Sequence, residues 1–307
     1  MLVVFLQKEM LNYYRKQSEI SDPGKFKTYF EDLPESIPDL CKIVQNTFNH
    51  VFWIMDKKNY DITLHDIVAL GRDPNKELNM RKIEEKLDHY FSNDETSFIE
   101  DRNQINKVVG NCRDYALLLV SMLRHKDIPA RVRSGAAKYF FPLEKQKFED
   151  HYICEFWNEE DNRWHMVDPQ IDYVQRKALN LTISTIDLPY NQFLDAGRTW
   201  IEFRKGEIPA ENFGIGEWRG QIFVLNKLIM ELASLNKIEV LAWEGWGICS
   251  DIKNIEKLGF EVFDDLAEKI SKVNEPQIFF ELRNLFENDS RFKIPSNYKP
   301  YFMKFNF

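Results

Sequence analysis

The feature that most constrains the fold is a continuous apolar run, Ala116 to Leu123, which follows Gly110, Asn111 and Cys112. With its flanks the segment is long enough for about four helical turns, and it is apolar on every side, so we expect a buried, rigid helix. Asn111 can cap this helix, and Asp114 stands three residues on, in the capping-box position. The pattern therefore predicts Cys112 in the first turn of a buried helix.

That position suits a nucleophile, because the unpaired N–H groups and the dipole of a helix start favour negative charge, and thiolate is the reactive form of cysteine. The alternative interpretation is that Cys112 is a small buried core residue, which is the commonest role of a free cysteine. The other cysteines, Cys41, Cys154 and Cys249, are scattered with no C-x-x-C pair. We therefore expect free thiols, with neither a zinc site nor a disulfide framework.

Two segments further on, residues 149–158 and 163–170, predict an antiparallel hairpin. A four-residue loop, Asn158 to Asp161, would set His151 directly opposite Asp168, with Cβ atoms about 5 Å apart on one face. A five-residue loop would instead pair His151 with Pro169 and send the two side chains to opposite faces.

In the four-residue register, Asp168 can fix the tautomer of His151 and stabilise its charged form, while His151 faces the thiol of Cys112. His165 then lies on the opposite face, beside Cys154, where we expect no function.

The remaining periodicity is mostly helical. Helices are predicted at Leu2 to Arg15, Ile37 to Met55, Lys76 to Phe91, Gln192 to Phe203, Trp218 to Leu235, Phe263 to Val273 and Gln277 to Asn288. Extended segments are predicted at Ala130 to Phe141, His151 to Trp157 and Arg163 to Asp168. We expect an α+β protein with a helical region over 1–104, a catalytic core over 105–175, and a mainly helical region over 176–307 packed on that core.

Three motifs, G-N-C-R-D-Y-A, D-H-Y-I-C-E-F-W and W-H-M-V-D-P, resemble in order and context those of the transglutaminase-like superfamily, which includes microbial protease-like members and the peptide N-glycanases. The resemblance covers residues 105–175. It implies a papain-like α+β core, with Cys112 at a helix start and His151 and Asp168 on neighbouring strands as a catalytic triad. The flanks are similar to a group of uncharacterised bacterial proteins built on this core.

Two departures from the family matter. No run of short strands could form the additional β-sandwich domains of the calcium-dependent animal enzymes. The C-x-x-C zinc motif common in the peptide N-glycanases is also absent.

The sequence thus favours an enzyme that attacks an amide, ester or thioester carbonyl of a peptide, protein or small molecule and passes through a thioester. Hydrolysis is slightly favoured over transfer to an amine. The rival hypothesis is a non-catalytic peptide- or protein-binding module on the same fold. The sequence leaves the oligomeric state open.

Secondary site residues are also predicted. An oxyanion needs donors, for which the backbone N–H of Cys112 and a side-chain amide, Gln104 or Asn103, are candidates. Most tryptophans of the C-terminal half are expected in the core, yet Trp243 or Trp246 is a candidate wall of a substrate cleft.

Composition and charge limit which kinds of partner the protein is expected to bind. With 49 acidic and 41 basic residues, a net charge of −8 and no basic stripe, nucleic acid is not expected. No stretch approaches the roughly 20 apolar residues of a membrane span, and Met1 to Leu6 is too short for a leader, so we expect a soluble, cytoplasmic protein. No cofactor or metal is expected, since four histidines lack acidic or cysteine partners at ligand spacing: His50, His65, His89 and His125.

Overall fold

The computed structural model describes residues 2–94, 97–141, 146–246 and 259–305. These residues combine helices with strands, which confirms the predicted α+β class. The helices are α1 (Leu2–Arg15), α2 (Ile37–Thr47), α3 (Leu64–Ala69), α4 (Pro74–Leu78), α5 (Ile83–Asn93), α6 (Cys112–His125), α7 (Tyr173–Ala178), α8 (Ala196–Arg204), α9 (Gln221–Leu235), α10 (Glu261–Ser271) and α11 (Pro276–Asn288). The strands are β1 (Phe48–His50), β2 (Val108–Gly110), β3 (Ala130–Ala137), β4 (Phe148–Asn158), β5 (Arg163–Val167), β6 (Phe193–Asp195), β7 (Phe213–Ile215) and β8 (Trp218–Arg219).

Several predicted helices have different bounds in the structure: those expected from Gln192 and Trp218 begin at Ala196 and Gln221, after the strands β6 and β8. Two others differ more. The one expected to reach Met55 ends at Thr47, because Phe48 turns to extended backbone and opens β1. The one expected over Lys76 to Phe91 is two helices. Pro74 starts α4, and after a short break α5 starts afresh where the Glu85 carboxylate accepts the N–H of Lys82 at 3.0 Å.

The chain forms two compact units that alternate along the sequence. The first comprises residues 1–14, 133–152 and 189–301, and the second comprises residues 15–132, 153–188 and 302–307. The boundaries fall within β3 and β4, so the N-terminal part of β4 belongs to the first unit and its C-terminal part to the second.

The first unit contains most of a mixed sheet in the order β6, β3, β4, β7, β8. Antiparallel pairing joins β3 to β6, with Gly135 opposite Asp195, and parallel pairing joins β4 to β7. A Cβ at Gly135 would lie 2.1 Å from the Leu194 carbonyl oxygen, so only glycine permits this approach. The buried Trp200 of α8 donates its indole N–H to Asp264 of α10 at 2.7 Å.

The second unit is built around α6, whose residues from Cys112 to Arg124 are all buried. The predicted buried helix is therefore confirmed. Helix α2 packs on α6, and the parallel pair β1 and β2 lies against both. The C-terminal part of β4 pairs antiparallel with β5.

Over the ranges that the structure describes, no helix is long and apolar enough to cross a membrane.

Candidate active site

Cys112 is the first residue of α6, as the sequence predicts. The preceding Asn111 is extended, and its Oδ1 accepts the N–H of Arg113 at 3.0 Å. The carboxylate of Asp114 accepts the N–H of Asn111 at 3.1 Å, which completes the capping box. Two of the orphan donors of the helix start are thereby satisfied, and Cys112, 6% exposed, is held in a defined first turn.

Asp114 has a second task, which the sequence does not reveal. Its carboxylate contacts Lys86 Nζ at 3.0 Å and Arg113 Nη1 at 2.9 Å, and all three side chains are almost fully buried. Burial lowers the pKa of Lys86, although the charge of Asp114 opposes that shift. The cluster ties the start of α6 to α5 and gives Asp114 a structural role.

The strand that leads into Cys112 is anchored by Glu77 of α4. The Glu77 carboxylate accepts the N–H of Val109 in β2 at 2.7 Å and two hydrogen bonds from Arg72 at 2.8 and 2.7 Å. Burial alone would raise the pKa of Glu77, but the adjacent imidazole of His89 and the hydrogen bonds and charge of Arg72 hold it below its ordinary value. A charged, fully buried Glu77 therefore fixes β2 just ahead of the thiol.

Asp168 follows directly after β5 and is only 1% exposed. Its Oδ1 accepts the N–H of Gln170 at 3.0 Å, and its own N–H donates to the carbonyl of Thr185 at 2.8 Å. Gln45 of α2 donates its side-chain amide to the carbonyls of Pro169 and Ile171. These bonds lock the backbone on both sides of the carboxylate.

A chain of buried and half-buried polar groups continues from this point. Gln170 donates to Gln175 at 3.0 Å, Gln175 donates to the hydroxyl of Tyr60 at 3.3 Å, and Tyr60 donates to Asp172 at 2.7 Å. Burial, together with the charge of Asp172, raises the pKa of Tyr60 and keeps it a neutral donor. Hydrogen bonds thus hold the D-P-Q segment, Asp168 to Gln170, on both sides of the Asp168 carboxylate.

The predicted hairpin register is wrong. Asn158 pairs with Arg163 and Cys154 pairs with Val167, so continuing the ladder brings Asp168 opposite Ile153, not His151. The four-residue loop is Glu159 to Asn162, one residue later than predicted, because the Asn158 side chain accepts the N–H groups of Glu160 and Asp161 and fixes the turn. When the loop moves by one residue, each residue of β4 pairs with a residue of β5 two positions further along the chain. Because side chains alternate with a period of two, every side chain stays on the face that was predicted for it.

His165 is consequently misplaced by the same error. It lies opposite Phe156 rather than beside Cys154, and its Nε2 is 2.6 Å from Asp161 Oδ2. A second carboxylate, that of Asp187, lies 3.6 Å from its Nδ1. These contacts give His165 a structural role at the end of the hairpin.

His151 lies in the part of β4 that belongs to the first unit and is 2% exposed. The ring of Phe140 meets the imidazole edge-on at 4.9 Å, which restricts its rotation. The neighbouring Asp150 pairs with the buried Lys227 of α9 at 2.8 Å, and Lys227 also contacts the hydroxyl of Tyr152 at 3.2 Å. Residues on both sides of His151 are therefore pinned to α9.

Of the three predicted triad residues, the second unit contains Cys112 and Asp168, whereas His151 belongs to the first unit. Their assignment as a triad remains a prediction.

The amide of Gln104 is already engaged. Its Nε2 donates to Asn49 Oδ1 at 2.6 Å, and Asn49 Nδ2 donates to the Gln104 carbonyl at 2.7 Å. Asn103 is exposed and accepts the N–H of Ile105 at 3.3 Å. An oxyanion role for either side chain stays a prediction, one that would require Gln104 to leave Asn49.

Sequence reasoning missed the surroundings of His50, which it placed inside a helix. The structure places His50 at the end of β1, where it pairs with Gly110. Gly110 stands two residues before Cys112. Its imidazole lies 6.2 Å from the ring of Tyr115, one helical turn after Cys112, and that tyrosine donates its hydroxyl to the Phe48 carbonyl. No local signal could have revealed this, because a three-residue parallel pairing between distant segments has no periodicity of its own.

Other predicted residues are placed as follows. Trp246 is 2% exposed and donates its indole N–H to the Phe292 carbonyl at 3.1 Å, an environment of a packing residue. Trp243 is half-buried, and its role in a cleft stays a prediction. Cys249 lies outside the described residues.

Among the described residues, no group of three or more His, Cys, Asp or Glu side chains is arranged to hold a metal ion.

Comparison with known proteins shows what this segment is similar to. Residues 67–169 match the family model of the transglutaminase-like superfamily, which confirms the resemblance carried by the three motifs. The match contains Cys112, His151 and Asp168, and the superfamily supports cysteine-dependent activity in general terms.

One solved structure is also similar, that of a candidate cysteine protease from Cytophaga hutchinsonii. The two chains are 15% identical, with a TM-score of 0.29, and the match covers 59% of this chain and 44% of the other. This chain thus spans less than half of that protein. No curated protein matches the chain.

Proposed function

We propose that the protein is a cysteine-dependent acyl-transfer enzyme with Cys112 as nucleophile, His151 as general base and acid, and Asp168 as the group that orients His151. The observation that carries the proposal is the build of the α6 start: a capped, buried first turn that presents one cysteine, within a segment that matches a cysteine-enzyme superfamily. A thiol held at a helix N-terminus favours its anionic form, which is the nucleophile.

The reaction proceeds in two steps. His151 takes the thiol proton as the Cys112 sulfur bonds to the carbonyl carbon, and the tetrahedral intermediate expels an amine, alcohol or thiol that receives this proton. The product is a thioester on Cys112. Water, or an amine, then attacks the thioester as His151 removes its proton, and the thiol leaves with that proton.

Hydrolysis is the favoured outcome, and the substrate is a peptide, protein or small-molecule amide or ester. The choice of acceptor depends on whether the closed site excludes water. A cytoplasmic location, the absence of a cofactor and the three-region division of the chain belong to the same proposal.

A panel of electrophilic peptide and amide probes tests it. We expect a covalent adduct on Cys112 by peptide mass spectrometry, absent in Cys112→Ala and strongly slowed in His151→Ala. Ester substrates with and without an added primary amine then separate hydrolase from transferase by the product formed. Reversible binding of peptides without any adduct on Cys112 would contradict the proposal and favour the non-catalytic binding module.

A further inference from the structure

Residues 303–305 run alongside α4, where two asparagines bind their main chain. Asn75 Nδ2 donates to the Phe305 carbonyl at 3.1 Å, and Asn75 Oδ1 accepts the Phe305 N–H at 2.7 Å. Asn79 binds Met303 in the same way, at 2.8 and 3.1 Å. Each primary amide thus pairs with both main-chain groups of one residue, as a neighbouring β-strand would.

The spacing of these contacts fits an extended chain. Positions four apart on a helix are separated by about 6 Å along its axis, and alternate residues of a strand by about 6.6 Å. Because Asn75 meets Phe305 and Asn79 meets Met303, the segment runs antiparallel to the helix. All four hydrogen bonds go to backbone groups, so they recognise an extended polypeptide of any sequence.

Side chains of the segment alternate accordingly. Met303 and Phe305 are half-buried, whereas Phe302 and Lys304 are exposed. The ring of Phe305 lies 6.2 Å from that of Phe52. A groove of about 690 Å³ continues beside the segment, between α4 and α5, with His89 and Ser92 among its lining residues. The surface of α4 next to residues 302–305 therefore has open space for a polypeptide.

We propose that Asn75 and Asn79 form a main-chain clamp for extended polypeptides with apolar side chains at alternate positions, and that residues 302–305 occupy it in cis. The clamp faces away from β2, the strand that leads into Cys112. Glu77 holds β2, and Asn75 lies two positions from Glu77, on nearly the opposite side of α4. A bound polypeptide would contact the helix that anchors the approach to Cys112. The clamp does not depend on the chemistry of Cys112, so a test of the clamp can fail without affecting the proposed enzyme activity, and the reverse.

The test uses the full chain and a capped peptide with the sequence of residues 300–305, Pro-Tyr-Phe-Met-Lys-Phe, labelled for fluorescence anisotropy. The double variant Met303→Pro with Phe305→Pro removes both N–H donors of the cis segment and vacates the clamp. We expect the peptide to bind this variant at least about 10-fold more tightly than the wild type, because the tethered competitor is gone. Adding Asn75→Leu and Asn79→Leu to the vacated chain should abolish binding, while Lys76→Leu on the same helix should not.

A second measurement leaves the protein untouched. A peptide N-methylated at the Met or Phe that corresponds to Met303 or Phe305 lacks one clamped N–H and should bind about 10-fold more weakly. N-methylation at the Lys that corresponds to Lys304 should change affinity by less than about 2-fold, since that N–H makes no contact with the clamp. Equal effects at all three positions, or no binding to the vacated chain, would overturn the proposal.

Discussion

At the scale of single residues, the environments of the thiols distinguish Cys112 from its neighbours. Burial raises the pKa of Cys41, with the charge of Asp168 adding to the shift, and burial also raises the pKa of Cys154. Both therefore stay protonated at neutral pH. Cys112 differs from them in its place as the first residue of α6. Its position, rather than its exposure, sets it apart.

We therefore expect iodoacetamide to alkylate Cys112 first. In a Cys249→Ala background, peptide mass spectrometry from pH 6 to pH 9 should locate the label on Cys112, while Cys41 and Cys154 react only after unfolding in urea. A label on Cys41 or Cys154 in the folded protein would contradict the assignment of the nucleophile.

The proposed roles of His151 and Asp168 predict different kinetic losses. His151 transfers the proton, so His151→Ala should remove nearly all turnover. Asp168 only orients it, so Asp168→Ala should slow the reaction by about 10² to 10⁴ while leaving more residual rate. Single-turnover acylation by an activated ester measures both, with thermal unfolding as a check on folding. An Asp168→Ala enzyme as fast as the wild type would refute the orienting role.

At the scale of elements, we predict that the start of α6 affects both the stability of the fold and the reactivity of Cys112. Asn111 caps the helix that carries Cys112, and Ser36 caps α2, where its hydroxyl accepts the N–H of Asp39 at 3.2 Å. Both N-caps contribute to the free energy of unfolding, but only one defines the turn that holds the thiol.

Asn111→Ala and the matched control Ser36→Ala should each cost about 1 kcal/mol in urea unfolding. Only Asn111→Ala should also slow alkylation of Cys112. Asp114→Ala should cost more, about 3 to 5 kcal/mol, because it leaves Lys86 and Arg113 buried without their carboxylate. Equal alkylation rates in Asn111→Ala and the wild type would show that the cap does not position the thiol.

A second element-scale prediction concerns the contact between β3 and α9. Arg133 and the N–H of Ser134 both donate to Glu231, which is fully buried. Burial raises the pKa of Glu231 to about 7 in spite of Arg133. Because the pKa of Glu231 is higher in the folded than in the unfolded protein, proton binding to Glu231 contributes to the free energy of unfolding. This contribution is complete below about pH 4.5 and is lost as the pH rises through about 7.

Glu231→Gln imitates the protonated form and does not titrate. We expect the wild type to lose about 3 kcal/mol of unfolding free energy relative to Glu231→Gln between pH 4.5 and pH 8. Urea denaturation at several pH values gives this difference. A difference independent of pH would show that Glu231 is ionised throughout the range.

At the scale of the whole molecule, the two units are assembled from alternating segments, so neither is a continuous piece of sequence. In the first unit, β3 and the N-terminal part of β4 find their strand partners, β6 and β7, beyond residue 189. Lys227 and Glu231 of α9 pair with Asp150 and Arg133.

A fragment that ends at Arg176 should therefore be insoluble or inactive. It keeps β3 and β4, which pair with each other, but loses β6 and β7. The loss exposes unpaired strand edges to aggregation and removes the α9 partners of Arg133 and Asp150. Solubility, circular dichroism and Cys112 labelling measure the outcome. A soluble fragment with full activity would show that the C-terminal half is dispensable.

The sequence by itself determined those features that depend on neighbours along the chain. The apolar run after Cys112 predicts α6, and Asn111 and Asp114 predict its capping box, because helix periodicity and capping are local interactions. The three motifs carry the resemblance that the match over residues 67–169 confirms. Helices α1, α9 and α11 follow from the same periodicity with small shifts at their ends.

Only the tertiary structure decided features that join distant segments. Sequence reasoning missed the β1–β2 pair that brings His50 to Gly110, the Lys86–Asp114 ion pair, and the grip of Asn75 and Asn79 on residues 303–305. It also misjudged the β4–β5 register by two residues, because an asparagine side chain fixed the turn and the alternation of side chains is identical in both registers. Such contacts depend on which segments meet in space, and a pattern with a period of two or 3.6 residues carries no record of that.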